Sequence, residues 1–131
     1  MIEREQTRDA WAAASPFATP STTVSLPQIN VEGPVRFLLV SGEKDDGRWG
    51  VVGAFWLSTD AERGGFLVSP SALWHGREMM RSYRSAVARG WTDEQIFSYW
   101  TEQTGMLGTY MLDPERDAGK LFEVARIVGT I

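Results

Sequence analysis

Residues 35–57 read VRFLLVSGEKDDGRWGVVGAFWL, and this stretch decides the fold. Two apolar runs rich in β-branched and aromatic residues flank Asp46 and Gly47, the residue pair most typical of a tight β-hairpin turn. If these two residues form the turn, Asp45 lies opposite Arg48 and the register of both strands follows. The stretch therefore predicts an antiparallel hairpin closed by a two-residue type I′ turn.

This register divides the hairpin side chains between two faces of a sheet, because opposed residues of an antiparallel pair share a face. One face carries Leu38, Val40, Val51, Phe55 and Leu57, and the other carries Phe37, Leu39, Val52, Ala54 and Trp56. Both faces are apolar through their middle, whereas a hairpin with one solvated face alternates between apolar and polar residues. We therefore expect a central pair of strands, covered on both faces by its own chain or by a partner.

The composition is that of a single globular domain, 1–131. The chain is 43% hydrophobic and 23% charged, and its length allows about two-thirds of the unfolded surface to be buried. The absence of cysteine excludes disulfides and thiolate chemistry and fits a reducing compartment. The opening segment MIEREQTRDAW lacks the apolar core of a secretory signal, and the apolar run 51–57 is too short to cross a bilayer. We therefore expect a cytoplasmic protein that does not enter a membrane.

After the hairpin, the spacing of apolar residues changes from that of strands to that of helices. Ser69 and Pro70 are typical of an N-cap followed by the first helical residue, and Thr92 with Gln95 matches a capping box. The predicted elements are strands over 66–68 and 106–112 and helices over 70–89, 93–104 and 114–128, the last with a strand over 121–127 as its alternative.

Strands followed by helices indicate an α+β fold. We expect a small antiparallel sheet of three to five strands, with the hairpin 35–57 at its centre, followed by two or three packed helices. Residues 1–23 are expected to form an N-terminal helix and a proline-rich connector, and their packing is expected to be loose because a short isolated helix is marginally stable.

Few residues form a pattern typical of catalysis or metal binding. His75 is the only histidine, and Ser71, four residues earlier, is its one candidate nucleophile, although a structural histidine is favoured. Glu43, Asp45 and Asp46 form the tightest acidic cluster, but their spacing lacks a calcium-loop pattern and suits a turn. We therefore predict no catalytic residue, metal or cofactor. A small-ligand or enzymatic pocket near His75, between sheet and helices, is the alternative.

A stripe of arginines follows the predicted helix 70–89. Arg77, Arg81 and Arg84 are spaced to share one helix face, with Trp74 beside them. Arginine next to an aromatic ring suits the recognition of carboxylates, phosphates or acidic proteins, whereas a merely solvated face is the favoured alternative. RNA or phospho-ligand binding by this stripe is a weaker hypothesis, and the net charge of −4 argues against DNA binding.

The leading hypothesis is a non-enzymatic intracellular protein that binds another protein, as an inhibitor, an immunity-type protein or an adaptor, with a phage or plasmid as the expected origin. It depends on the lack of a catalytic pattern and on a sheet with two apolar faces that few helices can cover. The partner is expected to be another protein or a second copy of the chain. The predicted partner-binding residues are Phe37, Leu39, Val52 and Trp56 on the sheet and Trp74, Arg77, Arg81 and Arg84 on the helix.

Overall fold

A computed structural model describes residues 31–130. The helix and the proline-rich connector predicted over 1–23 lie outside these residues. The described part of the chain contains six strands and three helices. In chain order they are β1 (Val35–Glu43), β2 (Trp49–Ser58), β3 (Gly64–Val68), α1 (Leu73–Ala88), α2 (Asp93–Thr101), β4 (Gly105–Leu107), β5 (Tyr110–Leu112), β6 (Arg116–Ala118) and α3 (Leu121–Val128).

The strands form one antiparallel sheet in the order β3-β2-β1-β5-β4, with β6 also paired to β1. β5 pairs with Val40 and Ser41 of β1, while β6 pairs with the earlier residues 35–37 along the same edge. The hairpin strands β1 and β2 therefore lie inside the sheet, as predicted. The α+β class is confirmed, and the sheet has six strands where three to five were expected.

The predicted hairpin register is confirmed in its buried half, where Phe37 lies opposite Trp56 and Leu39 lies opposite Ala54. The predicted two-residue turn is wrong. The Lys44 amide donates to the Arg48 carbonyl at 2.7 Å, so the loop contains the three residues 45–47.

The three-residue loop needs only one residue with a left-handed backbone. Gly47 has a φ of 84°, and Asp46 is not among the residues with positive φ. A type I′ turn requires positive φ at both central positions. The common three-residue loop requires it at only one position, which is usually a glycine. The Asp-Gly pair is compatible with both, and the structure adopts the loop that leaves Asp46 unstrained.

A β-bulge compensates for the additional loop residue. Val40 pairs with Gly53 while Ser41 pairs with Val51, which leaves Val52 as the extra residue of β2. Because one residue is added in the loop and one in the strand, the buried register is that of a two-residue turn. The bulge also moves Val51 from a position opposite Gly42 to one opposite Ser41, so the predicted division of faces fails near the loop.

Both faces of the central strands are buried. The Phe55 ring lies 5.0 Å from that of Trp100 in α2 and 6.2 Å from that of Tyr83 in α1, so both helices lie on the Phe55 face. α3 packs on β2, β3 and β6 through a buried apolar stripe, and on the opposite face of the sheet Trp56 is only 2% exposed. The central pair is thus covered on both faces within the chain.

The hairpin loop caps α1 across the fold. The helix begins at Leu73, and its own N-cap residue, Ala72, provides no side-chain hydrogen bond. Instead, the Asp45 carboxylate accepts from the Leu73 amide at 2.9 Å and from the Trp74 amide at 3.3 Å. A carboxylate at this end also interacts favourably with the helix dipole. Ser69 and Pro70, which were predicted to open the helix, precede it.

The capping box of α2 is confirmed, since Thr92 and Gln95 exchange both side-chain to backbone hydrogen bonds. Helices predicted over 70–89 and 93–104 are present with shorter bounds, and the segment 106–112 contains the β4–β5 hairpin.

The helix predicted over 114–128 is wrong in its first part, and so is the alternative strand over 121–127. Residues 116–118 instead pair with β1, and the Asp113 amide donates to the Leu39 carbonyl at 3.0 Å. The edge of β1 offers backbone groups that must find partners when buried, and this requirement prevails over the local helical pattern.

We expect Gly47→Ala to lower the free energy of unfolding by about 1–2 kcal/mol, because an alanine at this positive φ is strained. Chemical denaturation measures the change. Gly119→Ala is the control, since Gly119 is not among the glycines with a left-handed backbone. Its added methyl group meets only the flexible Glu123 side chain, at 3.4 Å. Equal effects of the two substitutions would contradict the left-handed loop residue.

Asp45→Ala should lower the free energy of unfolding by about 1 kcal/mol, the usual cost of losing a helix cap. Hydrogen exchange should accelerate at the Leu73 and Trp74 amides, which lose their acceptor. Asp46→Ala removes only a local loop hydrogen bond to the Arg48 amide, so it should leave exchange at those two amides unchanged. Unchanged protection in Asp45→Ala would show that the cap does not hold the helix start.

Candidate functional site

The candidate site lies where the hairpin loop, the start of α1 and the β4–β5 hairpin meet. His75 on α1 is in edge-to-face contact with the neighbouring Trp74 ring, at a centroid distance of 4.9 Å. Its other ring neighbour is Tyr110 of β5, at 5.3 Å. Tyr110 can lie close to β1 because Gly42 has no side chain, and a Cβ there would lie 3.1 Å from the tyrosine ring.

Three polar side chains form a continuous hydrogen-bonded group, which we call the His75–Tyr110–Glu78 relay. The Tyr110 hydroxyl lies 2.8 Å from His75 Nδ1 and 2.9 Å from Glu78 Oε1. Glu78 Oε1 is also 3.5 Å from His75 Nδ1. Burial raises the pKa of the Tyr110 hydroxyl above its usual value, and the hydrogen bond to Glu78 and the glutamate charge raise it further. Tyr110 therefore keeps its proton.

The relay fixes the tautomer of His75. The Tyr110 hydroxyl has a single proton, which it donates to the Glu78 carboxylate. His75 Nδ1 must then be the donor in its contact with the tyrosine oxygen. In the neutral imidazole the proton is on Nδ1, so Nε2 has a free lone pair. The arrangement can therefore present His75 Nε2 as a hydrogen-bond acceptor or a proton acceptor.

An open cleft of about 420 Å³ lies beside the relay, and we call it the arginine cleft. Its acids are engaged by the chain, since Asp45 caps α1 and Glu78 accepts from Tyr110. Arg77 and Arg81, in contrast, are exposed and form no ion pair with residues 31–130. The residues that line it are Asp45, Leu73, Trp74, Arg77, Glu78 and Arg81.

A second depression, of about 310 Å³, lies between the hairpin loop and the β4–β5 turn. We call it the Trp49 depression. Its lining residues are Glu43, Gly47, Trp49, His75 and Thr109. Nδ1 of His75 contacts the Tyr110 hydroxyl, so Nε2 is the ring nitrogen that forms no hydrogen bond with residues 31–130.

The structure separates the predicted partner-binding residues into two groups. The sheet residues Phe37, Leu39, Val52 and Trp56 are buried and are not accessible to a partner in this fold. The bulge also removes Val52 from its predicted position, since a Cβ at Gly42 would lie 3.5 Å from Val52 Cγ1, next to the Tyr110 ring.

The helix group is accessible only in part. Trp74 is 64% exposed, and Arg77 and Arg81 are exposed beside it. Arg84 is half-buried, with its Nη1 atom inaccessible to solvent, so it does not belong to the exposed stripe. The stripe predicted from the spacing is therefore reduced to Trp74, Arg77 and Arg81.

The suggested pairing of Ser71 with His75 is not formed. Ser71 precedes α1, and its hydroxyl lies 3.1 Å from the Ser69 hydroxyl, whereas His75 Nδ1 contacts Tyr110. Among residues 31–130, no group of three or more histidines, aspartates or glutamates is placed to hold a metal ion. None of the three described helices is long and apolar enough to cross a bilayer.

Two contributors to the site could not be found from spacing in the chain. Tyr110 is 35 residues from His75, and Asp45 is 28 residues from the helix that it caps. The only sequence signal for Asp45 was its place in a turn, and Tyr110 had none. Comparison with family models, curated proteins and solved structures finds no match to the chain.

Glu78→Ala should reverse the tautomer of His75. Without the carboxylate, the Tyr110 hydroxyl has one acceptor left in the relay, His75 Nδ1, and the imidazole proton moves to Nε2. Ring-nitrogen chemical shifts in NMR spectra, recorded where the imidazole is neutral, report which nitrogen is protonated. Glu94→Ala, at an exposed position of α2, is the control and should leave the shifts unchanged. The same tautomer in Glu78→Ala and wild type would refute the relay.

Proposed function

We propose that the protein is a non-enzymatic binding protein that recognises an acidic segment of a protein partner through the arginine cleft. One observation carries the proposal: the carboxylates of the cleft are engaged by the chain itself, while its two guanidinium groups form no ion pair with residues 31–130. The groups left to bind a ligand are therefore hydrogen-bond donors of positive charge. Such a surface favours a ligand rich in negatively charged acceptors.

The geometry of the cleft favours a peptide that combines carboxylates with an apolar side chain. Arg77 and Arg81 lie one helical turn apart, and each guanidinium can hold a carboxylate through two parallel hydrogen bonds. Trp74, 64% exposed, offers a large ring surface next to them. Tryptophan and arginine are the residue types most enriched among the positions that dominate binding energy in protein interfaces.

The charge distribution favours a protein partner over RNA. Binding to nucleic acid depends on neutralising many phosphates, whereas the chain has a net charge of −4 and this cleft contains two arginines. Asp45 and Glu78 at its wall further disfavour a densely charged backbone. Inhibitors, immunity-type proteins and adaptors act by such binding alone, and we propose this class of role, in the cytoplasm.

The test uses a short glutamate-rich peptide with one central leucine, and the same peptide with glutamine in place of glutamate. In NMR titrations, the acidic peptide should shift the Trp74 indole and the Arg77 and Arg81 side-chain signals, whereas the glutamine peptide should not. The Trp91 indole, 41% exposed on a different part of the chain, should not move. Added salt should weaken the interaction because it screens exposed charges.

Arg77→Ala combined with Arg81→Ala should weaken binding of the acidic peptide by about tenfold or more, since each charged contact contributes on the order of 1 kcal/mol. Arg89→Ala is the matched control, because Arg89 is an exposed arginine at the C-cap of the same helix. An equal loss in both variants, or peptide-induced shifts elsewhere on the chain, would contradict the proposal. Tighter binding of a single-stranded RNA than of the acidic peptide would favour the nucleic-acid alternative.

A further inference from the structure

We propose that the Trp49 depression is a second binding site, specific for a primary alkylammonium group such as a lysine side chain. It is distinct in chemistry from the arginine cleft and does not depend on the function proposed for that cleft. The proposal rests on three features of the depression: a free carboxylate, an exposed aromatic ring and the lone pair that the relay leaves on His75.

Glu43 supplies the charge. Its carboxylate is exposed and forms no hydrogen bond or ion pair with residues 31–130. Trp49 lies directly opposite Glu43 across the hairpin, so the two side chains are neighbours on the same face of the sheet. The Trp49 ring is 58% exposed and has no aromatic or cationic partner in the described part of the chain. A carboxylate next to an open indole ring matches a cation, which both groups attract.

This pairing is produced by the three-residue loop and the bulge together. In the predicted two-residue register, Trp49 would lie opposite the cationic Lys44. In the structure Trp49 lies opposite Glu43 instead. The shift of one residue therefore replaces a cation by an anion beside the exposed indole.

His75 makes the site specific for a cation that carries N–H groups. The relay holds the proton on Nδ1, so Nε2 accepts a hydrogen bond from a molecule in the depression. A primary ammonium has three donors and can bond to His75 Nε2 and the Glu43 carboxylate together, while its alkyl chain lies on the Trp49 ring. A quaternary ammonium has no N–H and cannot use the histidine. The depression, at about 310 Å³, has room for such a chain.

The probe is butylammonium, with butanol and tetramethylammonium as comparison ligands. In NMR titrations, butylammonium should shift the Trp49 indole signal and the His75 ring signals, and it should leave the Trp91 indole in place. Tetramethylammonium should bind more weakly, and butanol should give no saturable shift. Saturable binding of butanol equal to that of butylammonium would overturn the proposal, because the site would then recognise only the alkyl chain.

Glu43→Gln keeps the size of the side chain and removes its charge, and it should weaken butylammonium binding by about tenfold. Glu94→Gln, at an exposed acid of α2, should have no effect. Equal weakening by the two variants would overturn the site, because binding would then follow only the overall charge. Melting curves establish that each variant is folded, and Trp49→Leu provides a second variant that should also weaken binding.

Glu78→Ala tests the contribution of the relay, since Glu78 is not a lining residue of the depression. By moving the His75 proton to Nε2, it should weaken butylammonium binding and leave that of tetramethylammonium unchanged. Equal binding of butylammonium to Glu78→Ala and wild type would show that His75 Nε2 does not bind the ammonium group. Arg77→Ala with Arg81→Ala should preserve butylammonium binding even if it abolishes peptide binding, so the two proposals can fail separately.

Discussion

The Asp45 carboxylate joins the hairpin to the helical part of the structure. It lies at the tip of the central hairpin and accepts hydrogen bonds from the first two amides of α1, while its own amide donates to the Ser71 carbonyl at 2.9 Å. The first amides of a helix have no partner within the helix. A loop that satisfies them therefore fixes where the helix starts. The positions of Trp74, His75 and Arg77 relative to the sheet follow from this contact.

The core beneath this contact is apolar on both faces of the sheet. The Phe55 face is filled by rings, with Phe66 at 4.7 Å and Trp100 at 5.0 Å. On the other face the buried Trp56 indole finds no hydrogen-bond acceptor among residues 31–130. Leaving such a donor unpaired costs about 1–3 kcal/mol of folding free energy. The burial of apolar surface on this face must offset that cost. Both candidate sites lie at the loop end of the hairpin, together with the Asp45 cap and the His75–Tyr110–Glu78 relay.

Sequence patterns predicted the parts of the fold that depend on neighbours in the chain. The apolar runs specified the central hairpin and its buried register, and the Thr92–Gln95 pattern specified the start of α2, because each signal is complete within a few residues. The loop length was not predictable, since Asp46 and Gly47 suit both turns and the added residue is cancelled by the bulge. β6 escaped prediction because its partner is a strand edge about 80 residues earlier.

The candidate sites were only partly predictable for the same reason. Helical spacing identified Trp74, Arg77 and Arg81 but could not show that Arg84 turns inward, because its burial depends on contacts outside the helix. The sheet residues were expected at a surface because the sequence does not show how far the chain covers its own sheet, whereas the structure buries them. The role of His75 required Tyr110, which is brought close only by the pairing of β5 with β1.

The compensated register has a consequence for how this protein can change over evolution. The residue added at 45–47 and the one added at Val52 cancel, so the strand positions that fill the core are insensitive to whether both are present. A relative lacking one residue in each place could retain the same buried pairs. Trp49 would still lie opposite Glu43, and the changes would be confined to the loop that carries Asp45 and to the strand position of Val52. Recognition at the hairpin tip can therefore diverge by paired insertions or deletions while the folded interior is inherited intact.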